Sequence, residues 1–475
     1  MQQIGPPPAV ASSAIMSDGV ARAALFAAAF AGMALEIVAA RRYAPAIGSG
    51  IDAWAAVIAT ALGGFALGHV LSGRLMSTGR ESQRIVSSGL LAIATIVSAE
   101  TASVPLLLLG PDGMRLGLGY PLMILFLGGA CIATGMVGPA AARIVIERPG
   151  GQGGRIAAVF TLGAVGSIAG TLSAGFFLVP WLGLTVGPLI VALLAVAVCV
   201  AARRWRVAVF GMAMIGSGLV VAAFGQPRLC EVVTPFQCLS SVVVPEGAAQ
   251  VRWLVADGTR QSTIPDGLNG PFSPYIAEAL EQTLATVSKV ARPRILEIGG
   301  AGMAYSTTIA RAQPFSDVLT AEIDDGVTAF ARRLGMRQSS NHRVEEVDGR
   351  VLLEEPGPPF DAVLVDAFRA RFVPAQMATL QFFVALKRRL NPSGFVMINM
   401  IDGGDLRLAK AVAATASSVF SDVALWRRLD PGKLDNVVIL INAPHEPRFF
   451  PVPVRWTDAD LVLTDDRAPV ELLAP

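Results

Sequence analysis

The chain has 475 residues, of which 53% are hydrophobic and 16% are charged. That length allows two or three domains, and so apolar a composition excludes an ordinary soluble enzyme of this size. The formal net charge of +2 argues against a nucleic-acid partner. Because no lysine precedes Lys289 and long apolar runs fill the first half, we predict a helical membrane domain at residues 1–226 and a water-soluble part after it.

Seven apolar runs in the first half are long enough to cross about 30 Å of hydrocarbon. They are Val20–Ala40, Ile51–Leu71, Ile85–Leu109, Pro121–Val145, Ile156–Pro180, Thr185–Ala202 and Val207–Phe224. Only Trp181 to Leu184 separate the fifth run from the sixth, so six spans remain an alternative. The first run ends in Arg41 and Arg42 and has little positive charge before it, which is not typical of a cleaved signal peptide.

Arginines alternate between the predicted loops of this membrane domain. They follow the second, fourth and sixth runs and comprise Arg74, Arg80, Arg84, Arg143, Arg148, Arg155, Arg203, Arg204 and Arg206. By the positive-inside rule, the chain is then a multi-pass protein of the cell (inner) membrane with a cytoplasmic N-terminus. After seven spans, the water-soluble part falls outside the cytoplasm.

Glu36 is a charged residue inside the first apolar run. A charge in hydrocarbon costs at least about 3 kcal/mol, so such a residue is usually paired, faces a cavity or serves a function. A structural ion pair with a basic residue near the membrane edge is the alternative to a functional role. His69, Arg74 and Glu100 are weaker candidates, because snorkelling suffices for them.

Glycines crowd several of the apolar runs. They include Gly63, Gly64, Gly68, Gly128, Gly129, Gly135, Gly138, Gly163, Gly166, Gly170 and Gly175. Small residues let helix backbones approach closely, so close helix packing is the expectation and a sliding transporter interface is the alternative.

Residues 227–275 form a predicted small β-hairpin subdomain. Its short strands are Ser240–Val244, Val251–Val255 and Gln261–Ile264. Turns at proline and glycine separate the strands. Cys230 and Cys238 flank the start of this subdomain at a separation that a disulfide closes, which suits an oxidising compartment; two reduced cysteines are the alternative.

The stretch from Arg294 to Ser306 predicts a strand, a tight glycine turn and a helix. Gly299, Gly300 and Gly302 interrupt the apolar strand before the helical pattern resumes. Such a turn brings backbone N–H groups at a helix N-terminus close to a ligand, which suits a nucleotide or nucleoside. For the glycines alone, an ordinary corner of an α/β domain is the alternative.

Acidic residues end the strands that follow this turn. Glu322 ends a strand about twenty residues further on, where an acid can accept both ribose hydroxyls of a nucleoside. Asp348-Gly349 follows the next strand, and Asp366 follows the apolar run Phe360–Val365. Acids at the carboxyl ends of parallel strands point into one crevice, where open α/β sheets bind ligands.

Six motifs of the second half occur in one consistent order. They are Thr234-Pro235-Phe236-Gln237, Asp257-Gly258-Thr259-Arg260-Gln261, Gly299-Gly300-Ala301-Gly302, Ala321-Glu322-Ile323-Asp324, Val347-Asp348-Gly349 and Val365-Asp366-Ala367-Phe368. Their order and spacing resemble those of the spermidine synthase family, the polyamine aminopropyltransferases, including its membrane-fused members. The resemblance implies a Rossmann-like, methyltransferase-type α/β domain at residues 276–475, preceded by the small β subdomain and the helical membrane domain.

The resemblance also implies a pocket for an adenosyl sulfonium donor, either decarboxylated S-adenosylmethionine or S-adenosylmethionine itself. The residues implied for the donor are Gly299, Gly300 and Gly302 at the turn, Glu322 on the ribose, Asp348 and Gly349 at the adenine, and Gln261 on the tail side. Asp366 matches the aspartate that accepts a proton from the acceptor, with a helix cap as the alternative. The acceptor side would include Phe236, Gln237, Tyr275 and Arg369. No metal site is predicted.

The acceptor side departs from the pattern of the family. Gly302 and Arg369 stand where the family has acids, and Phe236 replaces a tyrosine. Pro271-Phe272-Ser273-Pro274 replaces an Asp-Glu pair. Because an arginine in place of an acid repels a diamine, we expect an acceptor that is neutral, anionic or lipid-borne, or else an activity that has been lost.

The C-terminal stretch Leu463–Val470 resembles the tail of membrane-fused members of the family. For Asp465 in this stretch, the crevice is one possibility, and capping of the last turn is the interpretation that we favour over it.

Three functions remain open at this point. They are an aminopropyltransferase-like enzyme, an S-adenosylmethionine-dependent methyltransferase, and a non-catalytic, ligand-binding transporter or assembly factor of the membrane. S-adenosyl compounds are cytoplasmic, which conflicts with the arginine pattern, whereas the cysteine pair agrees with it, so the balance favours an extracytoplasmic domain. The expected partners are the lipid bilayer and a small-molecule or lipid-linked acceptor, and a homo-oligomer stays open.

Overall fold

The computed structural model of the protein describes residues 16–47, 51–108, 112–148, 151–224, 230–246, 249–264, 272–367, 373–403, 405–428, 435–452, 462–468 and 470–473. The chain forms two compact units, one chiefly of residues 1–228 and the other chiefly of residues 229–475. The first unit is helical, and the second combines helices with two β-sheets. The domain limits at residues 226 and 275 stay predictions.

The helical unit is built from helices rich in alanine, leucine, valine and glycine. Its helices are α1 Asp18–Ile47, α2 Ile51–Leu75, α3 Gly79–Leu108, α4 Asp112–Met123, α5 Gly129–Ile146, α6 Gln152–Ser173, α7 Val179–Ala201 and α8 Trp205–Phe224. Two π-helical turns, Ile124–Gly128 and Ala174–Leu178, connect α4 to α5 and α6 to α7.

Five stretches of the described residues are long and apolar enough to cross a membrane, judged by length and composition. They are Asp18–Ala44, Ile51–Leu75, Arg80–Val104, Leu118–Ile146 and Gln152–Ala201. The last contains 50 residues, and within it Gly183 has the non-helical angles φ 70° and ψ −179°. The count of seven spans is not confirmed, because the fifth and sixth predicted runs form one helical stretch and the last run is a shorter apolar helix, Trp205–Val221.

Glycines allow two pairs of helices to pack with their backbones in contact. A Cβ atom added at Gly68 of α2 would lie 2.9 Å from the Cα atom of Gly135 on α5. One added at Gly170 of α6 would lie 3.0 Å from the Cα atom of Phe30 on α1. These distances are shorter than a van der Waals contact, so both positions exclude any side chain. The geometry agrees with the expectation of close helix packing.

A buried ion pair lies inside the helical unit. Arg42 is 1% exposed, and its Nη1 atom lies 3.3 Å from Oε2 of Glu100, which is 7% exposed. Arg42 also donates a hydrogen bond to the carbonyl of Leu184. The expectation that snorkelling suffices for Glu100 is therefore wrong, because its partner is buried with it. Glu36 is also buried, and its role stays a prediction.

A mixed eight-stranded sheet forms the centre of the α/β unit, in the order β12-β10-β11-β9-β8-β5-β6-β7. Its strands are β5 Arg294–Ile298, β6 Asp317–Glu322, β7 His342–Glu346, β8 Phe360–Val365, β9 Leu390–Asp402, β10 Val423–Arg427, β11 Asp435–Ile441 and β12 Phe450–Pro451. Strands β5 to β9 are parallel to one another, and β10 to β12 are antiparallel additions. The parallel part places the carboxyl ends of β5, β6 and β8 at one edge.

Helices cover both faces of this sheet. They are α9 Pro274–Val287, α10 Ala304–Ala312, α11 Asp325–Arg333, α12 Gly349–Glu354, α13 Leu380–Arg388, α14 Arg407–Ser417 and α15 Val470–Leu473. Successive side chains of a strand point to opposite faces, so Ile295 packs in one apolar cluster and Leu296 and Ile298 in another. A strand buried on both faces reads as a continuous apolar run, which is why β5 was predictable.

A smaller antiparallel sheet precedes the large one. Its strands are β1 Val232–Val233, β2 Cys238–Glu246, β3 Ala249–Ala256 and β4 Thr259–Thr263. Leu239 and Leu254 of this sheet share an apolar cluster with Met303 and with Phe330 of α11. The small sheet therefore belongs to the same compact unit as the large one, and a separate subdomain is not confirmed.

Candidate active site

A cavity of about 460 Å³ opens in the α/β unit where β5, β6 and β8 end. Its lining includes Phe236, Gln237, Gln261, Gly299, Glu322, Asp348, Gly349 and Asp366 among the predicted site residues. Gly300 and Tyr275 donate hydrogen bonds to carboxylates of this lining, and Gly302 follows its Ala301 in the chain. Arg369 lies outside the described residues. The structure thus brings most of the predicted residues to one place.

The glycine turn after β5 shapes one wall of the cavity. Gly299 has a φ of +84°, and a Cβ atom there would lie 2.5 Å from the carbonyl oxygen of Asp366 and 2.8 Å from the Cα atom of Ala367. Only glycine fits between these backbones. Ala301 and Met303 also have positive φ angles, 42° and 55°, which side chains rarely adopt. Strained backbone of this kind is typical of ligand sites.

Glu322 is buried at the end of β6 and is fixed by the glycine turn. Its Oε2 atom accepts a hydrogen bond from the backbone N–H of Gly300 at 2.9 Å, and Oε1 accepts one from that of Asp324 at 3.0 Å. Burial raises the pKa of Glu322, although these backbone donors oppose the rise. A carboxylate oxygen has a second lone pair, so Glu322 can still accept hydroxyl groups of a ligand.

Asp348 joins the cavity to the start of α12. Its Oδ1 atom accepts the backbone N–H of Arg350 at 2.8 Å, so Asp348 caps the helix. Gly349 lets the start of α12 lie close to Ile298 at the end of β5, because a Cβ atom at Gly349 would lie only 3.1 Å from Cγ1 of Ile298. The cap fixes one carboxylate oxygen of Asp348 at the cavity wall.

Asp366 is the half-buried carboxylate that directly follows β8. Oδ2 accepts a hydrogen bond from the hydroxyl of Tyr275 at 2.9 Å, and Oδ1 accepts one from Nδ2 of Asn399 at 2.8 Å. Asn436 donates in turn to Oδ1 of Asn399 at 3.0 Å, which fixes the orientation of that amide. The described side-chain partners of Asp366 thus belong to β9 and α9, and the alternative of a helix cap stays open.

Burial raises the pKa of Asp366 from 3.8 to about 6, against the effect of its two hydrogen-bond donors. Burial also raises the pKa of Tyr275, and the negative charge of Asp366 adds to that rise. Tyr275 therefore stays a neutral donor. A carboxylate with a pKa close to neutrality is ionised at pH 7 and takes up a proton readily, which is what general-base catalysis requires.

A short loop between β1 and β2 places Phe236 and Gln237 in the cavity lining. The Thr234 hydroxyl accepts the backbone N–H groups of Phe236 and Gln237 at 3.1 and 2.9 Å. The same hydroxyl donates to Oδ2 of Asp324 at 2.5 Å. A disulfide joins Cys230 and Cys238, whose Cα atoms are 5.2 Å apart. The loop is therefore held at its base by a covalent bond and at its tip by Asp324.

Three functional features were missed from the sequence. Asn399, Asp324 and the wall Val373–Met377 all shape or hold the cavity. Asn399 lies inside β9 and follows the apolar residues Phe395–Ile398, so a polar residue directly after an apolar run is the signal that could have found it. Gln261 was predicted correctly to lie at the cavity, and its buried Nε2 atom has no hydrogen-bond partner among the described residues.

Known proteins resemble the α/β unit. The chain is 27% identical over 234 residues to the polyamine aminopropyltransferase of Vibrio vulnificus (strain CMCP6). The match covers 42% of this chain and 76% of that protein. The α/β unit is spermidine synthase-like. A probable polyamine aminopropyl transferase of Bifidobacterium longum (strain NCC 2705) is 28% identical over 120 residues, which are 25% of this chain and 27% of that protein.

Among solved structures, a probable spermidine synthase from Corynebacterium glutamicum ATCC 13032 is 20% identical, with a TM-score of 0.42 over 46% of this chain and 82% of that one. No family model matches the chain. The spermidine synthase-like unit thus has relatives that are named transferases, and it follows a region of five long apolar helices.

Proposed function

We propose that the α/β unit is a transferase that uses an adenosyl sulfonium donor, decarboxylated S-adenosylmethionine or S-adenosylmethionine, and that the helical unit anchors it in a membrane. The observation that carries the proposal is the convergence of Glu322, Asp348 and Asp366 on one cavity beside the glycine turn. The similarity to named polyamine aminopropyltransferases supports the same reaction class.

The residues of the cavity fit the two ends of a nucleoside. Glu322 is positioned to accept hydrogen bonds from the ribose hydroxyls, and Asp348 to accept a hydrogen bond from an amino group of the base. Gln261 offers a buried amide N–H toward the tail. When bound, the donor supplies an electrophilic carbon next to a positively charged sulfur. The protein contributes binding, orientation and a proton acceptor.

Asp366 is the proposed proton acceptor. When the acceptor attacks the donor carbon, the bond from that carbon to sulfur breaks, and its electron pair leaves with the sulfur as a neutral thioether. The ionised form of Asp366 takes the proton that the acceptor loses. Tyr275 and Asn399 hold the two carboxylate oxygens in place, so the base does not have to reorient during the reaction. Phe236 and Gln237 would lie on the side of the acceptor, as their place in the lining allows.

The acceptor is proposed to be neutral, anionic or lipid-borne rather than a simple diamine. A Cβ atom at Gly302 would lie 2.6 Å from the carbonyl oxygen of Thr263, so no acid of the kind found in the family fits at this position. The other departure, Arg369, rests on the sequence alone. A membrane anchor agrees with an acceptor in or near the bilayer.

The cell (inner) membrane is the proposed location, with the α/β unit outside the cytoplasm. Five apolar stretches of sufficient length support membrane insertion. The disulfide between Cys230 and Cys238 supports an oxidising compartment. A reporter fused to the C-terminus would test the side directly, and a cytoplasmic signal would contradict this part of the proposal.

Calorimetry on the full chain in detergent tests the proposal. We expect S-adenosylmethionine, its decarboxylated form or both to bind, and E322A to lower the affinity at least about tenfold, because charge-assisted hydrogen bonds are lost. The exposed Glu281 of α9 gives the control E281A, which should bind like the wild type.

The pattern of binding separates the alternatives. Binding of intact S-adenosylmethionine alone would favour a methyltransferase. Binding of neither compound would favour a non-catalytic role, and unchanged affinity in E322A would refute the assigned pocket.

A further inference from the structure

Arg350 connects two walls of the cavity. Its backbone N–H is the one that Asp348 accepts, so it fixes the wall formed by Asp348 and Gly349. Its Nη1 atom donates to the carbonyl oxygen of Gln376 at 3.2 Å, and Gln376 belongs to a second segment of the lining, Val373–Met377. Arg350 is not among the cavity-lining residues, yet it contacts both of these lining segments.

Asp465 holds the guanidinium group of Arg350 from the C-terminal end of the chain. Nη1 and Nη2 of Arg350 donate to Oδ1 and Oδ2 of Asp465 at 2.7 and 2.6 Å, which is a bidentate pair. The hydrogen bonds from Arg350 lower the pKa of Asp465 to about 2. Asp465 is not among the cavity-lining residues, which does not support the possibility that it reaches the crevice. Its described side-chain hydrogen bonds come from Arg350 and Thr379, so the favoured capping of the last turn stays a prediction.

The segment around Asp465 is itself firmly attached to α13. The Thr379 hydroxyl, which caps α13, donates to Oδ1 of Asp465 at 2.7 Å. The backbone N–H of Leu380 donates to the carbonyl of Leu463 at 2.8 Å, and Leu463 is buried in the core of the unit. Asp465 is thus a fixed anchor rather than a mobile surface charge.

We propose that Arg350 and Asp465 are positioning residues, a clamp by which the C-terminal segment sets the spacing of the two cavity walls and so the affinity for the nucleoside. Neither residue touches the ligand in this assignment. The inference rests on the proposed nucleoside pocket for its effect on affinity, whereas the effect on the walls themselves holds without a ligand.

Two measurements on the full chain in detergent test the clamp. In D465N, amide hydrogen exchange of Gly349–Glu354 and Ala375–Met377 should rise about tenfold without ligand, while exchange in β5 and β8 stays at the wild-type rate. The dissociation constant for S-adenosylhomocysteine should rise about tenfold. The double variant R350Q/D465N should have the same dissociation constant as R350Q alone, because each substitution breaks the same interaction.

Asp317 provides a matched control. It pairs with Arg294 and Arg343 at 3.2 Å at the amino ends of the strands and is 42% exposed, against 39% for Asp465. D317N should leave exchange at both walls and the affinity unchanged. A general loss of stability would instead affect D317N and D465N alike.

The outcomes separate the clamp from the proposed function. Wild-type exchange at both walls in D465N would overturn the clamp, whether or not a nucleoside binds. If the exchange rises but the affinity for the nucleoside is unchanged, the role in binding is wrong. If the wild type binds no nucleoside, the proposed function fails and the exchange measurement alone decides whether the walls are clamped.

Discussion

The two units surround a carboxylate with different partners, a cation in one unit and neutral hydrogen-bond donors in the other. In the helical unit, Glu100 is buried together with the cation of Arg42. In the α/β unit, the half-buried Asp366 accepts hydrogen bonds from neutral donors, the hydroxyl of Tyr275 and the amide of Asn399. A buried ion pair is satisfied by its own partner, whereas neutral donors leave a carboxylate near its titration point.

The contrast indicates what each site is for. A buried pair of opposite charges is typical of a structural element, because removal of either charge leaves the other one unpaired. A single carboxylate whose pKa is raised to about 6 is unfavourable for stability at neutral pH and useful for proton transfer. The contrast agrees with a structural role for Glu100 and with the proposed role of Asp366 as proton acceptor, and three measurements can break or sharpen that distinction.

The largest effect is expected from E100Q. Glutamine keeps the shape of Glu100 but leaves the buried charge of Arg42 without its partner, which typically costs about 3–5 kcal/mol of unfolding free energy. Thermal unfolding of the full chain in detergent, followed by circular dichroism, measures the loss. The control is E147Q, because Glu147 forms a pair with Arg143 on the surface and is 51% exposed; surface pairs contribute less than about 1 kcal/mol. Equal, small losses in both variants would show that the buried pair is not a structural fixture.

The second effect is the pH-dependent gain in D366N. Since the folded state raises the pKa of Asp366 from 3.8 to about 6, the folded protein binds the proton more tightly than the unfolded chain. The free energy of unfolding of the wild type therefore falls as the pH rises from about 4 to 6, by roughly 3 kcal/mol at about 1.4 kcal/mol per pKa unit. The asparagine side chain of D366N does not titrate. The free energy of unfolding of D366N relative to that of the wild type should therefore rise by the same amount between about pH 4 and about pH 7.5.

Hydrogen exchange of β8 and β9 amides in urea, at both pH values, measures this gain for the α/β unit. The exposed Asp325 at the start of α11 supplies the control D325N, which should change stability by less than about 1 kcal/mol at either pH. A D366N difference that does not grow with pH would mean that Asp366 is not the poised base.

The helices and the parallel strands were accessible from the sequence because their signals are local. Predominantly apolar segments such as Phe360–Val365, in which only Asp361 is charged, predict buried strands, and the acid that follows marks the carboxyl edge. The number of spans was less accessible, since Gly183 lies in a non-helical conformation within one long apolar stretch. Composition alone does not show whether such a glycine separates two spans.

The candidate site was predictable where a motif encodes a backbone need. Gly299 is required by the close approach of the turn to Asp366, and the backbone N–H of Gly300 in the same turn holds Glu322. The glycines and the acid about twenty residues further on have a recognisable spacing. The partners of Asp366 were not predictable, because Asn399 and Asn436 meet only when β9 and the antiparallel β11 are paired. The clamp between Arg350 and Asp465 likewise joins distant parts of the chain, and each residue alone looks like an ordinary surface charge.

The smallest effect is expected from N399A, which removes the amide donor from Oδ1 of Asp366. A hydrogen bond to a charged acceptor contributes roughly 1.5 kcal/mol or more, so its loss should raise the pKa of Asp366 by about one unit. The stability difference between N399A and N399A/D366N, measured against pH, isolates this titration. We expect the midpoint of this titration to lie at a higher pH than the midpoint obtained from the stability difference between the wild type and D366N.

Asn341 is the matched control for this change, because its Nδ2 atom donates to the carbonyl groups of Ala310 and Gln313 at 3.0 and 3.1 Å, away from Asp366. N341A should lose stability without moving the midpoint. If the midpoint moves equally in both variants, it reports general loosening of the unit. If it moves only in N399A, the ionised state of Asp366 depends on a specific neutral donor, in contrast to Glu100, whose partner is the charge of Arg42.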